Sequence, residues 1–397
     1  MFKKYLVLTL TLLVTGFSAT ISAAPQAVYK DYFGTGRTSY LDFVRSGNAN
    51  LLRWDLLRNP VTSPPQIRRS IWGYAYDEPV YGDFDGDLKY DIGVYRPANE
   101  PNKPSHFYIQ RSSDNSLLAQ PWGTVRGEFL QPDFPIPGFY DDDSKTDFAV
   151  IRFEENKFVW HILQSATGSH KSIVWGGFIS DNEFDFPLGP SADFNNDGRD
   201  DLTVIRPNSQ TGDLTFYVAD AQTGAPILTQ LWGNLNATDF QYVTVGDYMG
   251  DSRADVVVIY SDCRNNPGCP LGATWWIKET GSNNQRVVKF GNPFGVGVQG
   301  DIPDDGDYDG DGKRDISVLR PSTGTFYHLL SSNGQTVGQQ WSSIFGSSGG
   351  ASALFNDLFN SQQRETAPPV SPRMTLIKRN ADGKITVQRG NETFQPQ

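Results

Sequence analysis

The most constraining feature of the sequence is an acidic stretch that runs directly into an apolar segment and recurs along the chain. In the copy GDFDGDLKYDIGVYRP, residues 82–97, four aspartates fall within nine residues ahead of a β-branched run. Related stretches begin at residues 138, 192, 246 and 306, and a degenerate one begins at residue 30. Their first positions, residues 31, 83, 139, 193, 247 and 307, define six copies with a mean period of about 55 residues. A chain with this period is built from repeated supersecondary units.

More of each unit recurs than the acidic stretch. An aromatic segment follows it, such as HFYI at 106–109 or VWHI at 159–162, and a third segment then ends in Trp-Gly or Phe-Gly. A short segment with Pro leads into the next acidic stretch, so each unit is predicted to hold three or four short strands. Small antiparallel sheets repeated at this length are typical of propeller blades, and a linear solenoid is the alternative.

The fold prediction is an all-β protein, a β-propeller of about seven blades, with six as the alternative count. Closure is favoured because the last unit lacks its Pro-bearing segment, which the N-terminal AVYKDYF could replace with a strand. The C-terminal MTLIKRNADGKITVQRG is predicted to be a hairpin and could form half of a last blade. The predicted domains are a signal peptide at 1–23, blades at 24–346, and an irregular segment plus hairpin at 347–397.

The N-terminus and the net charge suggest where the protein acts. Residues 1–23 combine a basic start, an apolar run and a small-residue cleavage site, which is typical of a secretory signal, with a membrane anchor as the alternative. We therefore expect a secreted protein, extracellular or periplasmic, without a membrane span. A formal net charge of −11 argues against nucleic acid as a partner and favours cations.

Cys263 and Cys269 are the only cysteines of the sequence. In an exported chain, a pair this close is expected to form a disulfide across a small loop. A thiolate metal site or a redox pair is the alternative, although the spacing is not that of a redox motif.

The acidic stretches fit the pattern D-x-D-x-D-x-x-x-D, whose side chains at positions 1, 3, 5 and 9 can converge on one cation, with a carbonyl from position 7. Hard oxygen ligands without His or Cys favour Ca²⁺. Three copies are complete: Asp83, Asp85, Asp87, Lys89 and Asp91; Asp193, Asn195, Asp197, Arg199 and Asp201; and Asp307, Asp309, Asp311, Lys313 and Asp315. Two copies are incomplete: Asp141, Asp143 and Asp147; and Asp247, Asp251 and Asp255. The first copy keeps only Asp31. The alternative is a set of plain Asp and Asn turns, which fits the first copy but leaves four carboxylates to repel one another in the complete ones.

The unit resembles the FG-GAP/VCBS repeat family, the calcium-loop blades of integrin-type and bacterial β-propellers. The motif D-x-D-G-D-x-x-x-D, followed by an apolar strand and Arg-Pro, carries the resemblance over nearly the whole chain after residue 23. The resemblance implies a propeller, Ca²⁺ in the loops, and an extracellular binding or adhesive role. It does not fix a ligand.

Other recurring residues have plainer interpretations. The Trp-Gly and aromatic positions are expected in the core between blades rather than as sugar platforms. The arginines before Pro, such as Arg96, are expected to cap backbone or acidic loops, and His106, His161 and His328 to pack or face solvent. No catalytic motif is found. We therefore expect a monomeric binding or adhesion module for an extracellular glycan or protein. A polysaccharide lyase or glycosidase with a site at the channel and a structural surface component are the alternatives.

Overall fold

The structure is a computed structural model. It describes residues 26, 29–46, 50–126, 131–180, 183–189, 192–235, 240–261, 272–293, 300–340, 375–379, 385–389 and 392–394. The predicted signal peptide and the Cys263–Cys269 pair lie outside these residues. All regular elements within the described residues are β-strands. These residues include no helix that is long and apolar enough to cross a membrane.

The strands form six antiparallel sheets, each of which is one blade. The first blade contains β1 (Tyr40–Ser46), β2 (Leu51–Leu57) and β3 (Ile67–Tyr74). The second contains β4 (Glu78–Gly82), β5 (Asp91–Arg96), β6 (Pro104–Gln110), β7 (Leu117–Arg126) and β8 (Gln131–Pro132). The third contains β9 (Phe134–Pro135), β10 (Phe148–Glu154), β11 (Lys157–Leu163), β12 (His170–Ser180) and β13 (Glu183–Phe184). The fourth contains β14 (Phe186–Pro187), β15 (Leu202–Pro207), β16 (Asp213–Ala219) and β17 (Pro226–Asn234). The fifth contains β18 (Phe240–Gly246), β19 (Asp255–Ser261), β20 (Ala273–Lys278) and β21 (Gln285–Lys289), and the sixth β22 (Ile302–Gly306), β23 (Asp315–Arg320), β24 (Thr325–Leu329) and β25 (Thr336–Gln340).

A closed ring of six hydrogen bonds joins the acidic loops. In every copy, the carbonyl at position 1 accepts a hydrogen bond from the backbone N–H at position 8 of the next copy. The bonds are Tyr90 to Asp31 (2.9 Å), Thr146 to Asp83 (2.7 Å), Asp200 to Phe139 (2.7 Å), Ala254 to Asp193 (2.6 Å), Arg314 to Asp247 (2.7 Å) and Thr38 to Asp307 (2.6 Å). Because the last bond returns to the first unit, the structure is a closed six-bladed propeller rather than a linear stack.

The blade count is therefore six, the alternative to seven. The predicted hairpin is present as β26 (Thr375–Arg379) and β27 (Ile385–Arg389), followed by β28 (Glu392–Phe394). It does not begin a seventh blade, because β26 pairs with the free edge of β18 and extends the fifth sheet to seven strands. Ile377, Ile385 and Val387 are buried in one cluster with residues of the fourth and fifth blades.

The ring also closes differently from the expectation. Tyr29 and Lys30 form a turn rather than a strand. The first and last units instead meet through side chains: Asp307 N–H donates to Thr38 Oγ1 at 2.9 Å, and Asn59 Nδ2 donates to the Tyr308 carbonyl at 2.8 Å.

The Trp-Gly tryptophans lie between blades, as their recurrence predicts. The indole N–H of each donates to a backbone carbonyl in the aromatic strand of the next blade. The pairs are Trp72 with Tyr108 (2.9 Å), Trp122 with His161 (3.1 Å), Trp175 with Tyr217 (3.3 Å) and Trp232 with Trp276 (3.0 Å).

Candidate metal centres in the acidic loops

Two of the complete acidic loops bring three carboxylates together. In the second blade, one oxygen from each of Asp83, Asp85 and Asp91 lies within 4.8 Å of the other two. The sixth blade repeats the arrangement with Asp307, Asp309 and Asp315. Positions 1, 3 and 9 of the motif therefore converge, as the spacing predicts for a cation site.

The loop coils because two of its residues adopt left-handed backbone conformations. Gly86 at position 4 has φ of +83° and Leu88 at position 6 has φ of +65°. This coil points loop amides at the first carboxylate: Gly86 N–H donates to Asp83 Oδ1 at 2.6 Å, and Leu88 N–H donates to Oδ2 at 2.8 Å. Gly86 is the glycine of the D-x-D-G-D motif, whereas Leu88 lies at a position that the motif leaves open.

Serines from the turn between β6 and β7 complete the site. Ser112 N–H donates to Asp91 Oδ1 at 2.6 Å, and Ser113 Oγ donates to Asp85 Oδ2 at 2.6 Å. In the sixth blade, Ser331 and Ser332 occupy the same places. Sequence analysis missed these serines, although the recurrence of Ser-Ser after the aromatic strand was a usable signal.

Position 5 has a different environment. Lys89 Nζ lies 2.5 Å from Asp87 Oδ2, and Ser112 Oγ donates to Asp87 Oδ1 at 2.7 Å. In the other complete copies, Arg199 pairs with Asp197 at 2.6 Å and Lys313 with Asp311 at 3.6 Å. The residue at position 7 thus uses its side chain to neutralise the carboxylate at position 5.

The converging carboxylates are electrostatically strained without a counter-charge. Burial, followed by the charges of Asp85 and Asp87, raises the pKa of Asp83 to about 6 against the pull of loop amides. Burial and the neighbouring carboxylates raise the pKa of Asp91 to about 7, and the pKa of Asp315 to about 6. A bound cation would favour the charged forms. The donor set, all oxygen and arranged around one point, fits a hard cation such as Ca²⁺.

The other copies are less complete. Asp193 accepts hydrogen bonds from loop amides, as Asp83 does. Burial raises the pKa of Asp201 to about 8, and its Oδ1 is buried without a hydrogen-bond partner. Asp255 Oδ1 is likewise buried without a partner, and burial raises the pKa of Asp255 to about 7. In the third blade, the Ser165 amide donates to Asp147 at 2.6 Å, Ser165 Oγ donates to Asp143 at 2.9 Å, and the Ala166 amide donates to Asp141 at 3.0 Å.

Two remaining sets complete the account of the predicted ligands. Asp247 accepts the Gly250 and Ser252 amides, and Asp251 accepts the Arg253 amide. Asp31 accepts the Phe33 and Gly36 amides in a plain turn.

The opposite end of four blades, the second, third, fourth and sixth, carries an Asp–Arg pair that sequence reasoning missed. Arg96, at the end of β5, donates to both oxygens of Asp77 at 2.8 and 2.7 Å. The same pairing joins Arg152 to Asp133, Arg206 to Asp185 and Arg320 to Asp301. These arginines are expected to cap backbone or acidic loops, but each pairs with an aspartate at the other end of the blade, because the β-strand carries its Arg away from the acidic loop. The available signal was an Asp six residues before position 1 in three copies (Asp77, Asp133 and Asp301) and eight residues before it in a fourth (Asp185).

One comparison found a similar protein. No family model and no curated protein matches the chain. Among solved structures, the chain is similar to the rhamnogalacturonan lyase YesW, with 13% identity, 94% of this chain and 73% of the lyase chain covered, and a TM-score of 0.35. An identity and a TM-score this low carry no inference about function.

Proposed function

We propose that the protein is an exported, calcium-binding propeller of the FG-GAP/VCBS type that acts as a binding module for an extracellular glycan. The observation that supports this most is the recurrence of three converging aspartates, Asp83, Asp85 and Asp91, at equivalent positions of the sixth blade. Repetition of a carboxylate cluster within one chain is hard to reconcile with a turn that needs only backbone hydrogen bonds.

The proposed role of Ca²⁺ is structural. The loop that holds Asp83 also supplies the carbonyl that receives the Thr146 amide of the next blade. A cation on Asp83, Asp85 and Asp91 would fix the loop in the conformation that makes this contact. Extracellular modules bind Ca²⁺ at about 10⁻⁴ to 10⁻³ M, which suits an exported protein.

A glycan is favoured over a protein by an exposed aromatic stack at the end opposite the acidic loops. The Tyr74 and Tyr76 rings stack at 5.5 Å with an interplanar angle of 22°, and they are 40% and 62% exposed. The Arg96 guanidinium lies over Tyr74 at 4.2 Å and is held there by Asp77. The exposed Tyr76 ring at the outside of this stack, beside a fixed donor, offers stacking and hydrogen bonding together, in a form that a sugar ring can use.

The calcium role is tested by calorimetric melts over a Ca²⁺ titration. A cation that binds only the folded state raises the melting temperature by mass action, so we expect it to rise through the millimolar range and fall with chelator. Asp85→Ala and Asp309→Ala should each remove part of this rise, whereas Asp31→Ala should not change it. A wild-type melting temperature that ignores Ca²⁺ contradicts the proposal.

The ligand class is tested on a glycan array with Ca²⁺ present. We expect Tyr76→Ala to lose binding, because it removes the more exposed face of the stack. Leu117→Ala, at another exposed apolar side chain (57% exposed), is the matched control and should bind normally. If Tyr76→Ala binds the same glycans as the wild type, the stack is not the site; if the wild type binds none, the glycan assignment fails and the calcium role stands.

A further inference from the structure

A pair of histidines lies on the third blade, away from the acidic loops. His161 lies in β11 opposite Ser172 in β12, and His170 begins β12 opposite Leu163. The Trp122 ring of the second blade lies 5.0 Å from the His170 ring. Since Trp122 also donates to the His161 carbonyl, the pair lies at the boundary between the second and third blades.

Three polar atoms of this group form a nearly equilateral triangle. His161 Nδ1 lies 3.0 Å from His170 Nε2 and 3.0 Å from Ser172 Oγ, and the last two atoms are 2.9 Å apart. An ion about 2.1 Å from each atom, the usual distance from Zn²⁺ to an imidazole nitrogen, would lie about 1.2 Å out of their plane. At these spacings the three atoms would subtend angles of about 90° at the ion, and each pair would have to separate to about 3.4 Å to reach the tetrahedral geometry of Zn²⁺. The outer side of the triangle is open to water or a ligand.

The pair is a departure from the repeat. Strand pairing places His161 where the other complete blades carry Tyr108, Tyr217, Trp276 and Tyr327. In those blades, an Arg or Tyr stacks on the aromatic ring. His170 likewise takes a place held by Leu117, Pro226, Gln285 and Thr336 elsewhere. Two histidines thus occur together in one blade at places where the repeat needs neither.

We propose that His161, His170 and Ser172 form a site for a borderline divalent cation such as Zn²⁺. Imidazole nitrogens favour Zn²⁺ over the hard cations that suit carboxylate loops, so the site is chemically separate from the proposed calcium centres. The site is partly exposed at His170 and Ser172, so an ion can reach it from solvent.

The test is isothermal titration of Zn²⁺ into the full chain with excess Ca²⁺ present to fill the acidic loops. We expect one Zn²⁺ per chain in the wild type. His161→Gln and His170→Gln should each weaken this binding by more than about tenfold, since even outer-sphere partners of a metal contribute that much. His106→Gln, which removes a histidine of the second blade, should leave it unchanged.

A second readout uses the adjacent indole. Cu²⁺, which imidazole also binds, should quench the fluorescence of Trp122. The quenched amplitude should therefore fall in Trp122→Phe, His161→Gln and His170→Gln. The melting temperatures of these variants should stay near the wild-type value. A wild type without a Zn²⁺ site, or Zn²⁺ binding that survives either pair substitution, overturns the proposal.

Discussion

At the residue scale, burial sets the protonation of side chains that the repeat places in the core. His328 lies in the aromatic strand of the last blade with no exposed surface. Its ring stacks on Tyr308 at 3.8 Å, and its Nδ1 lies 2.9 Å from Ser317 Oγ. Burial lowers the pKa of His328 to about 3, while the charge of Asp304 acts in the opposite direction. The ring is therefore neutral in the folded protein.

This burial predicts a loss of stability on acidification. The pKa of a histidine in the unfolded chain is about 6.5. Between that pH and about 3, the unfolded state therefore binds a proton at His328 that the folded state does not. The contribution of His328 is complete above about pH 6.5 and is lost as the pH falls. We expect the stability difference between wild type and His328→Gln to shrink across this range in denaturant melts. With His106→Gln as the control, a difference that stays constant with pH would contradict the prediction.

The residues of the proposed metal sites could be predicted only in part, for a physical reason. The aspartate positions follow from local spacing, because one coiled loop carries all of them. Ser112 and Ser113 reach the same loop from a turn two strands later, so their role depends on how the strands pair. His161 and His170 likewise meet across a strand pair, and their sequence separation gives no sign of it.

At the element scale, the Asp–Arg pair fastens the start of the first strand to the end of the second. The fifth blade shows an alternative: Gln241 replaces the Asp and Tyr260 replaces the Arg, and the Tyr260 ring stacks on Trp276 at 5.9 Å. In the sixth blade, Arg320 lies over Tyr327 at 4.4 Å in the same relation. Both members change together because a buried aspartate without its arginine would be destabilising.

The residues of the fifth blade therefore provide a variant with which the stabilising role of the Asp–Arg pair can be tested. Arg320→Leu leaves Asp301 buried and unpaired, so we expect it to lower the free energy of unfolding by about 3 kcal/mol. The double variant Asp301→Gln with Arg320→Tyr copies the fifth blade and should lose less than the single variant. Equilibrium urea unfolding of the three proteins compares them. A double variant no more stable than Arg320→Leu would show that the aspartate charge is not the cause.

Element prediction from sequence succeeded where the repeat is regular and failed at its ends. The aromatic strands and acidic loops follow from period and alternation. A count of seven takes the C-terminal hairpin as part of a further blade, but the sequence of a hairpin cannot distinguish a new blade from strands added to an existing sheet. The pairing of Tyr242 with Leu376 shows that β26 extends an existing sheet.

At the scale of the whole molecule, the ring is closed by residues of the first unit that depart from the repeat. Lys30 takes the place held by Gly or Ala in the other copies. Its Nζ is fully buried and lies 3.0 Å from Asp305 Oδ1 and 3.5 Å from Asp304 Oδ1 in the last blade. The side chain thus joins the two ends of the ring.

Removing this charge should weaken closure. We expect Lys30→Met to lower the free energy of unfolding by about 3 kcal/mol, because it leaves Asp305 buried without its nearest counter-charge. Lys145→Met, which changes a lysine of an acidic loop in the third blade, is the control and should have little effect. The measurement is the urea midpoint at constant Ca²⁺, and equal midpoints for the two variants would contradict a role for Lys30 in closure.

The attachment of the C-terminal hairpin to the fifth blade also decides how the molecule would bear load. A pull between residue 394 and the body of the ring acts first on β28, whose bonds to β27 open one pair at a time, then on the ladder between β27 and β26, and last on the ladder between β26 and β18. The seam between the first and last blades lies outside that path. The hairpin would therefore extend under tension and dissipate it while the ring, with its loops and surface sites, keeps its shape.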